Sequence, residues 1–340
     1  MGGRGHYRGS YDPPSLAKMS AELETSFSAE ERIHFLGDSW AMVRVGRLSI
    51  GDYLAMLEKL QAERSRAVMG VMTERIPEIH DTLVAPADRP AFERWVRNFL
   101  RPIANDLGDT PAPGESDDRR ALRTDVFAVL TTYGRDPQSL AKSRAIVEAY
   151  MKDPASVDAA LAGNALPIAA FEGDAALYDR YVEHLKTAKT PEESSNYLGA
   201  IGQSRDPALT KRTFDLFLSP AVKNQDLFYL FGPLSNSDIQ AAAWELFKTD
   251  FKAIMTKAGP GLGAGFAQVA GVFCDEKLRD DAQQFFAAQN LPGSERPLQN
   301  AKDTVNACIE LRSLQQPKLS EYLKKLLDAK KFWLPTTDSN

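Results

Sequence analysis

The sequence predicts an all-α protein, and three observations carry that prediction. Apolar residues recur three and four positions apart along most of the chain, which is the spacing of one helix face. Many of these runs open on a residue able to cap a helix. Many also close on glycine or restart at an Asp-Pro or Thr-Pro pair. Starts at Asp136, Asp153, Asp174, Thr190 and Asp206 are each about one helix and a turn apart. A helix pair then occupies roughly 33–40 residues, the range of helical-repeat arrays. The repeats share punctuation and not a strict code, so the expected architecture is a HEAT-like solenoid of antiparallel helix pairs.

Gly5 to Asp12 (GHYRGSYD) is the exception, because its alternation suits one short strand that Pro13-Pro14 would end. A lone strand needs a partner sheet. Helical patterning starts at Ser28, which forms a capping box with Glu31 ahead of the stripe Ile33, Leu36, Trp40, Val43. Gly46 stops that helix and Ser49 opens the next, with Tyr53, Leu54, Leu57 and Leu60. Val68, Met72, Ile76 and Ile79 define a third, which Pro77 should end or kink. Phe92, Trp95, Val96, Phe99 and Leu100 define a fourth.

Asn105 to Asp118 (NDLGDTPAPGESDD) reads as a long surface loop within one array, because helical periodicity resumes unchanged beyond it. The stretch Ala165 to Asp226 carries three amphipathic segments in succession. Gly173 is expected to be a left-handed stop, Asp174 a cap, and Thr190-Pro191-Glu192-Glu193 a capping box. Gly202 and Asp206-Pro207 repeat the stop and restart. After Ser219-Pro220 and NQDLFYLFG, a helix carries Ile239, Ala243, Leu246, Phe247 and Ile254. A glycine-rich loop, Lys257 to Gly265, precedes two or three further helices. The helical region is expected over 15–335, with 336–340 frayed.

The 340 residues include 43% hydrophobic ones, ample for a core. A net charge of -5 gives no reason to expect nucleic acid as a partner, and no apolar run is long enough for a membrane span. The opening residues lack the apolar centre of a signal peptide, and the chain reads as one begun in mid-sequence. Cys274 and Cys308 have two readings, a small core residue or a disulfide. A disulfide would place the protein in a periplasmic or secreted setting, and free thiols in the cytoplasm.

No catalytic constellation is evident. The histidines His6, His34, His80 and His184 share no metal-ligand spacing, and no His-Glu-x-x-His pair occurs. Gly259, Gly261, Gly263 and Gly265 lack the lysine and hydroxyl of a phosphate loop, with Phe266 and Ala267 in their place. On residues alone, this is a helical interaction domain, and a free-standing scaffold binding proteins on its concave face is one reading.

The order of motifs supplies the other. GHYRGSYD ahead of a helical array resembles gluzincin-type zinc aminopeptidases, the family of aminopeptidase N and of the puromycin-sensitive and endoplasmic-reticulum aminopeptidases. Gly5, Tyr7, Arg8, Tyr11 and Asp12 match its G-[FY]-Y-R-x-x-Y-D segment, with His6 replacing an aromatic. SAEERIHFLGDSWAMVRVGRLS, GQSRDPALTKRTFDLFLSPAVKNQD and GSERPLQNAKDTVNACIELR resemble later segments of that family, in order.

The resemblance implies that residues 1–14 are the last strand of a preceding β-sandwich and that the remainder is the C-terminal helical domain. It places zinc in a catalytic domain outside this chain, which should be inactive alone. The implied partners are the parent's catalytic and β-sandwich domains and peptide substrates. The helical domain would wall an internal cavity and gate peptide access. Asn224, Gln225, Asp226, Phe228, Phe231 and Phe266, with the loop from Gly261, are the candidate contacts. The competing reading makes those aromatics core and the polar residues caps.

Overall fold

A computed structural model describes residues 9–259 and 264–329. Among them there is no strand, and helix dominates throughout. Of the expected strand, Gly5 to Arg8 lie outside the described residues, and Gly9 to Asp12 are irregular. Asp12 spends itself on capping, since its carboxylate accepts from the Ser15 N–H at 3.0 Å.

The helices in chain order are α1 (Pro13–Ala21), α2 (Leu23–Ser26), α3 (Ala29–Arg44), α4 (Ile50–Leu57), α5 (Arg66–Leu83), α6 (Arg89–Leu107), α7 (Asp117–Thr132) and α8 (Pro137–Lys152). They continue with α9 (Ala159–Phe171), α10 (Ala175–Thr187), α11 (Pro191–Ile201), α12 (Pro207–Leu218), α13 (Phe231–Ser235), α14 (Gln240–Ala258), α15 (Glu276–Gln289) and α16 (Glu295–Asp328). Short 3-10 segments at Asn224–Leu230 and Ala264–Gly271 complete the second half.

Two compact units result. The first comprises residues 1–139 and 310–340, and the second residues 140–309. In the first, Leu36, Tyr53, Met72, Phe92, Trp95 and Val126 are buried together with Leu319 and Leu323 from the end of α16. The predicted capping box is present, with Ser28 accepting from Glu31 N and Glu31 accepting from Ser28 N. Gly46, at φ 74°, ends α3 as expected. Pro77 does not end its helix, because α5 runs on to Leu83. The loop from 108 to 116 is tied down by Arg123, which donates to Leu107 O and Gly108 O and pairs with Glu115.

The second unit gathers Tyr181, Leu198, Phe214, Phe217, Trp244, Phe247 and Phe286 into its own core. Asp174 caps α10 through Leu177 N, and Thr190 caps α11 through Glu193 N. Glu193 reaches back one residue further than a capping box requires, to Lys189 N at 2.8 Å. Gly173 is not left-handed. It is glycine for space, since a Cβ there would lie 2.8 Å from Leu177 Cδ2 and 3.0 Å from Ala169 O.

Candidate functional site

The second unit carries two surfaces of different chemistry. The even-numbered helices α8, α10, α12 and α14, with α15, are charged and cross-linked by ion pairs. Arg180 on α10 donates to both carboxylate oxygens of Glu148 on α8, at 2.8 and 2.7 Å. Asp179 on α10 pairs with Arg212 on α12, and Lys248 on α14 pairs with Asp281 on α15 at 2.7 Å. These partners lie 32 or 33 residues apart.

The other surface is built from α9, α11 and Asn224–Leu230. The run Ala159–Phe171 holds no charged residue, and neither does 194–204. Charges return at the ends, where Arg205 pairs with Glu172 at 3.0 Å. Burial pushes the phenols of Tyr181 and Tyr197 well above their ordinary range, so neither acquires charge near neutrality.

These elements approach closely where side chains are small. A Cβ on Gly163 of α9 would lie 3.4 Å from Asn196 Oδ1 of α11, and one on Gly199 would lie 3.5 Å from the Tyr229 ring. Asn196 Nδ2 donates to the Tyr150 hydroxyl at 3.2 Å, so its amide is held in place. Tyr229 stacks on Phe228, ring centroids 4.2 Å apart. Phe228 is 52% exposed, unusual for a residue of that size.

The candidate residues divide. Asn224 and Gln225 are exposed, and Asp226 is half-buried. Asp226 caps nothing by its side chain in the described geometry; its N–H donates to Lys223 O at 3.0 Å. Phe266 is core, 5% exposed, and half-buried Phe231 packs on it with centroids 5.9 Å apart. The structure therefore brings Phe231 and Phe266 together below the surface and leaves Asn224, Gln225 and Phe228 on it. Of the expected loop contacts, Gly261 to Gly263 lie outside the described residues.

Asn224 also edges a groove of about 810 Å³ between the end of α12 and α14, with Lys223, Asp250, Lys252 and Lys257 on its walls. Lys257 is engaged structurally. Its ammonium donates to Phe217 O and Ser219 O, closing the C-terminus of α12, and burial lowers its pKa. Residues the sequence reading passed over are Asn196, Gly199 and Tyr229. For Asn196 and Gly199 the signal was the charge-free run 194–204.

Cys274 and Cys308 form a disulfide, Cα atoms 5.6 Å apart, between the segment after Ala264–Gly271 and α16. No group of three His, Cys, Asp or Glu side chains converges as a metal site among the described residues. His34 faces Asp38, His80 bonds Asp81, and His184 stacks on Tyr197. No described helix is long and apolar enough to cross a membrane.

Residues 1–307 match the family described as the ERAP1-like C-terminal domain. The chain is 22% identical to aminopeptidase M1-A of Oryza sativa subsp. japonica over 88% of its own length and 35% of that protein. It is 20% identical to the mitochondrial aminopeptidase 2 of Saccharomyces cerevisiae, over 94% of this chain and 34% of the relative. A glutamyl aminopeptidase of Bitis rhinoceros is 23% identical, over 98% of this chain and 35% of the relative. The chain thus spans about a third of the length of the curated relatives it matches.

Proposed function

Because the chain belongs to the ERAP1-like C-terminal domain family, we propose that it is the peptide-contacting wall of an aminopeptidase whose catalysis resides in another part of the protein. The observation that carries this reading is the α9, α11 and Asn224–Leu230 layer. It offers amides and an aromatic pair, exposed Phe228 stacked on half-buried Tyr229, beside the charge-free runs 159–171 and 194–204. Such a surface can hydrogen-bond a peptide main chain and cover its apolar side chains. The 32- and 33-residue recurrence of the cross-helix ion pairs supports a HEAT-like stacking of helix pairs.

By itself this chain would bind peptides and leave them intact. Hydrolysis would need the metal and general base of a catalytic domain, against which the wall would close and limit entry. The test is to assay the isolated chain, supplied with zinc, on an aminoacyl chromogenic substrate, and then to join it to the remainder of its parent. No turnover alone and turnover on joining support the proposal. Turnover by the chain alone overturns it.

A further inference from the structure

Four residues of α16 recur at a spacing of four and form one ridge: Arg296, Asn300, Thr304 and Cys308. The first three are exposed and form one wall of a groove of about 470 Å³, with the segment Ala264–Gly271 and Val272 as the other. The fourth is clasped. One turn beyond Thr304, the Cys274–Cys308 disulfide ties α16 to the chain just after that second wall. Pro297 and Ala301, on the neighbouring ridge, also line the groove. There the walls come so close that a Cβ on Gly271 would lie 3.3 Å from Ala301 Cα. Walls joined covalently keep their spacing, so little ordering is left to oppose a ligand.

Of the eight residues that line the groove, Arg296 alone is ionisable. It makes no ion pair among the described residues, whereas Arg180, Arg205 and Arg212 are each held by a carboxylate. Glu295 and Asp303 of the same helix lie outside the lining, and Asp303 accepts from Gln299. The amides of Gln268 and Asn300 are likewise unbonded among the described residues, and each can donate and accept. Thr304 donates to Asn300 O at 2.9 Å, which leaves its hydroxyl oxygen to accept. From Arg296 to Thr304 the helix rises about 12 Å, the length of three or four extended residues. We infer that this groove binds an extended, acidic peptide segment, at a site separate from the α9, α11 and Asn224–Leu230 layer. The amides bond its main chain, Val272 and Pro297 cover its apolar atoms, and the guanidinium fork of Arg296 takes a carboxylate.

The experiment uses the full chain and fluorescent tetrapeptides capped at both ends, in which alanine alternates with glutamate, glutamine or lysine. Anisotropy titrations give a dissociation constant for each at low and at high salt. At low salt the glutamate peptide should bind about threefold to fivefold tighter than the glutamine peptide, with lysine weakest. High salt should narrow that spread, because the pair is exposed. Equal constants for glutamate and glutamine at low salt would overturn the proposal.

Two variants locate the contact. Arg296→Glu changes an exposed residue in the first turn of α16, where an acid suits the helix end and the fold should hold. It should invert the order, lysine over glutamate. Asn300→Trp fills the groove from an exposed position and should weaken the glutamate peptide by about fivefold or more. Glutamate peptide bound by both variants as tightly as by the native chain, with circular dichroism intact, would overturn the assignment. Such binding would lie elsewhere, and the peptide-wall reading would be untouched.

Discussion

Gln315 Oε1 accepts a 3.0 Å hydrogen bond from the backbone N–H of Ile50, 265 residues away in sequence. The same side chain donates through Nε2 to Val43 O at 2.6 Å and Leu48 O at 3.0 Å. One fully buried amide thus satisfies the end of α3, the turn after it and the start of α4. Gln315→Leu fills the space yet takes this partner from Ile50 N–H and Leu48 O, while Val43 O keeps the Gly46 N–H at 3.0 Å. It should cost roughly 2–4 kcal/mol of stability, read as a lowered urea midpoint. An unchanged midpoint would show that these groups find other partners.

A second prediction concerns pH. Glu58 Oε1 accepts from Trp95 Nε1 at 2.6 Å and from the Tyr322 hydroxyl at 2.8 Å. Burial nevertheless prevails and raises the Glu58 pKa, against the opposing effect of those two donors. A carboxyl whose pKa is raised on folding binds its proton more tightly in the native state. Its contribution is full on the acid side and is lost as pH rises from the ordinary glutamate range through the raised value. Glu58→Gln keeps an acceptor for both donors and cannot ionise. Its stability should vary less than the native protein's between mildly acid and neutral pH, by urea titration at each pH. Equal slopes would contradict the assignment.

Two glycines separate close packing from helix propensity. A Cβ on Gly232 would meet Gly202 O at 2.6 Å and its carbonyl carbon at 3.1 Å, backbone atoms that cannot rotate away. Gly232→Ala should destabilise by about 1–3 kcal/mol. Gly70 lies inside α5 with nothing within 4 Å of its Cβ position. Gly70→Ala should stabilise by about 0.5–1 kcal/mol. Thermal melts of both check the pair, and a shared sign would contradict it.

The disulfide makes a fourth prediction. Cys274 and Cys308 are separated by 34 residues, a closure worth about 3–4 kcal/mol through the unfolded chain. Thiol counting on denatured, unreduced protein should find none free, and reduction should lower the melting temperature. That outcome would accord with a periplasmic or secreted setting. Two free thiols would contradict it.

Helix starts and stops were legible wherever one residue decides them. Ser28, Asp174, Thr190 and Asp206 each cap through their own side chain, a local interaction that needs no tertiary partner. Pro77, which does not end its helix, and Gly173, which is not left-handed, depart from their local signals for the opposite reason. The core on α5, from Val68 to Leu83, outweighs one lost hydrogen bond, and Gly173 answers to a close approach and not to a backbone angle. Among the proposed contacts, Phe228 and Phe266 look alike in sequence. Only packing separates them, 52% exposed against 5%. The charge-free windows 159–171 and 194–204 were present as composition, and they share a surface once α9 and α11 lie side by side.

The central claim is that peptide lies on that layer. A peptide carrying a photoreactive residue in its distal half, irradiated with the chain and mapped by mass spectrometry, tests it most directly. The account predicts label on α9, α11 or Asn224–Leu230, at residues such as Asn196, Gln225 or Phe228. Label confined to the ion-paired faces of α8, α10 and α12 would contradict it.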